Sequence, residues 1–235
     1  MGLFDRVRRR KAERRHKDLV AAHDSALAEW QTVSDRIDEF VTIVQDCIEG
    51  RIHEQFVDRG GYGFMLDNDE FPVAFIPGMA LLQVVRGPGQ YQGGYGGVSF
   101  PLFGRVRGHV GGQRGKLVPG TESRSVTDVG ETMITNERVM FRGDLRTEEW
   151  KFSRMMAMEH SPDGITVFSM SAKSKPSAIG YGEEVAPLVQ FRLELAAALA
   201  RGTLERLAAE LAAERSHHDE ERPVPPPAAV TPAAT

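Results

Sequence analysis

A single cysteine, Cys47, stands in a chain of 235 residues. One cysteine excludes an internal disulfide and a multi-cysteine metal site, and it suits a reducing compartment. No apolar run approaches the ~18 residues needed for a membrane-spanning helix. The opening MGLFDRVRRR carries basic residues with no apolar stretch behind them, so no secretory signal is expected. The net charge is −4, with 26% charged residues, which excludes a polycation. Nucleic-acid binding therefore does not follow from global charge. These absences lead to the expectation of a soluble, cytoplasmic protein.

Catalytic signatures are missing too. The nearest approach to a phosphate-binding loop is GGQRGKL, but Gly111 is one residue too close to Gly115, and Leu117 stands where the magnesium-binding hydroxyl is needed. No G-x-G-x-x-G leads from a strand into a helix, and no H-E-x-x-H occurs. His16, His23, His53, His109 and His160 are scattered, and His217 and His218 lie near the end of the chain. The acids Asp67, Asp69 and Glu70 in GFMLDNDEF lack the spacing of a calcium loop and read as a solvated turn. Cys47 reads as a buried, unreactive thiol. The chain is therefore expected to be a non-enzyme, with no catalytic residue, no cofactor and no metal.

What is present begins with charge. Residues 1–17 hold eight Lys/Arg (Arg6, Arg8, Arg9, Arg10, Lys11, Arg14, Arg15, Lys17) against Asp5 and Glu13, a local charge of about +6. Leu3, Phe4 and Val7 sit among them at helical spacing. Val20, His23, Leu27, Trp30, Ser34, Ile37, Val41, Val44 and Ile48 then alternate three and four apart, a heptad seam of about four heptads. Phe40 and Cys47 widen the stripe in its second half. That half is expected to dock on a globular body, and the first half to project, self-associate or pack against Leu204, Leu207 and Leu211. Gly50 marks a stop.

From about residue 56 to 181 the pattern is that of strands. PVAFIPGMALLQVV reads as a strand, and the dense glycines of YQGGYGGVSF and GHVGGQRGKLV suit bulges and turns in a curved sheet. ETMIT and RVMFRG flank Asn136-Glu137 as a hairpin. Asp163-Gly164 marks a second turn, before ITVFS. Trp150 and Phe152 are expected on one strand, with Lys151 on its opposite face. EEVAPLVQFRLELAAALARGTLERLAAELAAERS reads as one closing helix weakened at Gly202, with Glu183 and Glu184 at its start. The Pro/Ala-rich end is expected to be disordered.

GETMITNERVMFRG, then EWKFSRM, then DGITVF resembles bacterial PH-like and GRAM-like domains. The order from GGQRGKLV onward is similar to an uncharacterised actinobacterial family, with RTEEW where that family shows a tighter run. The resemblance covers about residues 111–202. It implies a small curved antiparallel β-barrel closed by a helix, with Thr135 and Asn136 bonding the local backbone of a turn and Arg138 opening the next strand. The expected architecture is α+β: a basic segment and amphipathic helix over 1–50, a PH-like β-domain with closing helix over 51–215, and a disordered tail over 216–235.

The function expected is a binding or adaptor module. Leu3, Phe4 and Val7 can insert shallowly into a membrane, while Arg6, Arg8, Arg9, Arg10, Lys11, Arg14 and Arg15 face anionic lipid. A solvated helix end, with Leu3 and Phe4 tucked on the body, is the alternative. Non-specific nucleic-acid binding through the same cations, weak self-association through helix 20–48, and an unidentified protein partner are further alternatives. Lys173 and Lys175 form a second candidate anion site, because PH-like domains often bind ligands with basic loops between strands.

Overall fold

The computed structural model describes the backbone of residues 3–52, 56, 63–86, 90–92, 97–101, 107–111, 116–118, 122–171 and 176–227, and the side chains of 10–52, 56, 63–83, 125–171 and 176–227. The chain divides into two units, one of Met1–Thr42 with Leu211–Thr235 and one of Ile43–Glu210.

The unit of Ile43–Glu210 is built on a seven-stranded sheet. Its strands are β1 (Pro72–Arg86), β6 (Glu122–Thr135), β7 (Arg138–Gly143), β8 (Thr147–Lys151), β9 (Ala157–Ser161), β10 (Ile165–Ser169) and β11 (Ser177–Gly180). Their spatial order is β8-β7-β6-β1-β11-β10-β9, antiparallel throughout. Two meanders thus meet where β1 pairs with β11, Ala80 opposite Gly180 and Gln83 opposite Ser177. β8 and β9 are its edges, so the sheet is open, where the sequence suggested a closed barrel. In the connection between β1 and β6, the short strands β2 (Gln90–Gln92) and β5 (Lys116–Val118) pair outside β3 (Gly97–Pro101) and β4 (Arg107–Gly111). These two pairs are nested one inside the other between β1 and β6. Along β1, the register slips by one residue between Ile76 and Met79. Pro77 falls in that bulge, where a missing N–H does the ladder least harm.

The core gathers Trp150, Phe141, Phe152, Phe168, Phe191, Met79, Met133, Ile134 and Ile179, each essentially inaccessible. Trp150 lies on β8, tilted on Phe168 with ring centroids 4.6 Å apart. Phe152 departs from the expected strand and opens a short 3-10 turn, Phe152–Arg154, that carries the chain off the β8 edge. Helix α2 (Ala186–Arg201) packs against this turn, β1 and β6. Pro187 falls in its first turn, where no donor is lost. Asp163-Gly164 turns the β9–β10 hairpin as its spacing predicts. Gly164 has φ 75°, and a Cβ there would meet the Gly182 backbone at 2.1 Å.

The single closing helix is in fact two. Gly202 takes the left-handed conformation (φ 63°, ψ 40°) and donates to the last carbonyls of α2. That caps α2, and α3 (Leu204–Glu220) starts anew.

The other unit contains most of helix α1 (Leu3–Ile48) and the later part of α3. Here the two helices pair antiparallel: Arg215 Nε donates to Asp38 Oδ1 at 2.7 Å, and Trp30 Nε1 donates to the His218 carbonyl at 2.9 Å. The Trp30 indole and His218 imidazole stack at 5.0 Å, and the Arg222 guanidinium lies over the Trp30 ring at 5.3 Å. The tail expected to be disordered from residue 216 is therefore helical to Glu220, because His218 and Arg222 find a partner in Trp30. Residues 228–235 lie outside the described residues.

Candidate functional site

The TNER turn is built from a polar network. Thr135 Oγ1 accepts from the Glu137 and Arg138 amides at 3.1 and 3.0 Å, and donates to Glu70 Oε1 at 2.6 Å. Asn136 Oδ1 accepts from the Phe71 amide at 2.8 Å, and its Nδ2 donates to the Asp69 carbonyl at 3.2 Å. Arg138 opens β7 and reaches back to Glu70, to Glu149 at 3.0 Å and to the Met65 carbonyl at 3.0 Å. The Thr135, Asn136 and Arg138 side chains thus join the turn to residues 65–71, while Glu137 is exposed. Glu70 is the correction within GFMLDNDEF: Asp67 and Asp69 are exposed, but the Glu70 side chain is fully buried. Burial alone would raise its carboxyl; the bonds from Arg138 and Thr135 outweigh it and hold the carboxyl below its ordinary value.

A second network crosses the core. His160 Nε2 lies 3.0 Å from Glu194 Oε1, and His160 Nδ1 lies 2.8 Å from Thr166 Oγ1, which is 2.8 Å from the Tyr181 hydroxyl. A hydroxyl, an imidazole and a carboxylate in a row have the order of a nucleophilic triad. Thr166 is 0% exposed, however, and its hydroxyl is already engaged by Tyr181, so a substrate has no approach to it. The arrangement satisfies buried polar groups between β9, β10 and α2. Asp128 similarly holds the β7–β8 turn, accepting from the Leu145 and Arg146 amides at 2.9 and 2.8 Å. Burial acts to raise its carboxyl, and the backbone donors prevail and lower it.

The remaining candidate is the basic start of α1. The helix begins at Leu3 and runs unbroken through the basic segment. Arg10, Lys11, Arg14, Arg15 and Lys17 are all exposed. Arg10, Arg14 and Lys17, spaced four and three apart, share a face, and with Lys11 and Glu13 they line one shallow surface depression. Leu19 follows at 48% exposure. The side chains of Leu3, Phe4, Arg6, Val7, Arg8 and Arg9 lie outside the described residues. Lys173 and Lys175, in the connection between β10 and β11, also lie outside them. Of the near-miss GGQRGKL, Lys116 begins strand β5, whereas a phosphate-binding lysine opens a helix.

Glu70, Asp128 and the His160 chain were not anticipated. A signal for the last was present: a hairpin turning at Asp163-Gly164 sets His160 opposite Thr166, and Glu194 stands alone in the apolar run LELAAALA. Among the described residues, no helix is long and apolar enough to cross a membrane. No family model, curated protein or solved structure matches this chain.

Proposed function

We propose that the chain is a non-enzymatic binding or adaptor module, with a PH-like β-unit, that seats itself reversibly on an anionic membrane surface through the start of α1. The observation that carries this reading is the run of five exposed cations, Arg10, Lys11, Arg14, Arg15 and Lys17, on a helix already formed at Leu3. Each basic residue near an anionic surface contributes about 1 kcal/mol. Leu3, Phe4 and Val7 would add a few kcal/mol by shallow burial. Neither term suffices alone, so binding depends on both lipid charge and salt. The PH-like assignment is supported by the two antiparallel meanders meeting at β1 and β11, with a helix following the last strand. The inner face of the cytoplasmic membrane supplies the matching anionic surface.

Vesicle co-sedimentation tests this, with full-length protein, a version lacking residues 1–17, and Phe4→Glu. The expected result is binding to anionic but not neutral vesicles, lost in both variants and weakened by salt. Binding by Phe4→Glu equal to the parent's removes the insertion step. Binding to duplex DNA but not to vesicles replaces the membrane with nucleic acid.

A further inference from the structure

Two buried polar side chains interrupt the pairing of α1 with α3. Ser34 is 1% exposed, one turn from both Trp30 and Asp38; Glu214 is 3% exposed, one turn before His218 and beside Arg215. Ser34 thus lies between the two α1 residues that hold α3, Trp30 to His218 and Asp38 to Arg215, and Glu214 immediately precedes Arg215. Among the described residues, neither Ser34 Oγ nor Glu214 Oε2 has a hydrogen-bond partner. Several of the surrounding charges are committed elsewhere. Arg215 holds Asp38 and Asp219, His218 pairs with Trp30, and Arg222 covers the Trp30 ring. On α1 the charged neighbours of Ser34 are Arg36, Asp38 and Asp35, and the Asp35 carboxylate accepts from Gln31 Nε2. Among the described residues, no cation forms an ion pair with Glu214. A buried carboxylate so placed is costly when ionised and far less so when neutral.

We propose that the α1–α3 pairing is a proton-linked clasp, closed while Glu214 is neutral and loosened when Glu214 ionises. Burial is the main influence on Glu214 and pushes its carboxyl up to about 7; Glu221 acts the same way, and His217 opposes both. Once α3 lifts away, Glu214 returns to an ordinary carboxyl near ~4.3. The closed form therefore keeps a proton that the open form releases throughout the interval from there to about 7. Closure is tightest at the acid end, weakens as the pH rises across that interval, and levels off above it. Opening uncovers Trp30 and the seam around Ser34.

The test is native-state hydrogen exchange of the α3 amides 211–220 in the full-length protein from pH 5 to 8, corrected for intrinsic exchange, with the α2 amides 189–198 as internal reference. In the parent, the opening constant of α3 should rise roughly fifty- to a hundredfold over this range, while α2 stays level. Glu214→Gln should abolish the pH dependence. Glu214→Leu, which needs no partner for a buried carboxyl, should abolish it and raise α3 protection at every pH. It decides the matter if the glutamine variant folds poorly. A parent profile parallel to that of the leucine variant overturns the proposal. So does a Glu214 carboxyl carbon that titrates by NMR in the ordinary carboxylate range.

Discussion

The Arg138 guanidinium grips the Glu70 carboxylate with two parallel hydrogen bonds, Nε to Oε1 at 2.8 Å and Nη2 to Oε2 at 2.7 Å, between residues 68 positions apart. Glu70 is wholly buried and Arg138 nearly so, so removing one partner strands the other. Arg138→Met should destabilise the β-unit by about 3–5 kcal/mol, and adding Glu70→Gln should recover part of that loss. Urea midpoints of the parent and the two variants measure both effects.

The same pair sets an acid limit. The Glu70 carboxyl is depressed when folded, so its contribution is fully present above the ordinary carboxyl value near ~4.3. It is lost as the pH falls through the lower folded value. Between pH 5 and pH 2 the parent's urea midpoint should therefore fall more steeply than that of Glu70→Gln. Equal slopes would place Glu70 outside the acid transition.

Trp150 has the most to lose by truncation. Its ring is 1% exposed against Phe168, and Nε1 donates to Ser177 Oγ at 2.8 Å, tying β8 to β11. Trp150→Ala should cost about 3–5 kcal/mol in denaturant unfolding. Trp150→Phe keeps most of the volume and loses the hydrogen bond, for about 1 kcal/mol.

Cys47 should be inert in the folded protein. Burial, helped by Asp46 and opposed by Arg192, pushes its thiol up to about 11. At pH 8 an aromatic disulfide reagent should label it at least roughly a hundredfold more slowly than a free thiol. Full speed should return in denaturing urea. Rapid labelling of the native protein would mean that the last turns of α1 open readily.

Local chemistry was legible in the sequence wherever it was decided locally. The heptad and widened stripe gave α1, the DG turn gave the β9–β10 hairpin, and Thr135-Asn136 gave the β6–β7 turn. What escaped was decided at a distance. Glu70 sits in an acidic run, and it is Arg138, brought over from β7, together with Thr135 that pairs its carboxylate out of water. β11 is four residues long, SAIG, and becomes a strand because β1 and β10 lie on either side. Gly202 marks a weak point in the helix pattern, but whether it bends one helix or ends one and lets another begin depends on its left-handed φ, which composition does not carry. Glu214 reads as an ordinary surface acid until α1 covers it. In the candidate site, the cations are evident from composition, and the structure adds the exposure of Arg10, Lys11, Arg14, Arg15 and Lys17 on a formed helix.

The pairing of the first strand with the last imposes an order in time. β1 leaves the ribosome with β6 close behind, but its other edge, from Ala80 to Gln83, is matched only by Ser177–Gly180, about 100 residues later. At ~5–20 residues per second, that edge of a strand bearing Leu81 and Leu82 stays bare for roughly 5–20 s of synthesis. The nascent chain is therefore most vulnerable to intermolecular strand pairing in that interval, and chaperone capture during translation would matter more for this unit than for the helical one.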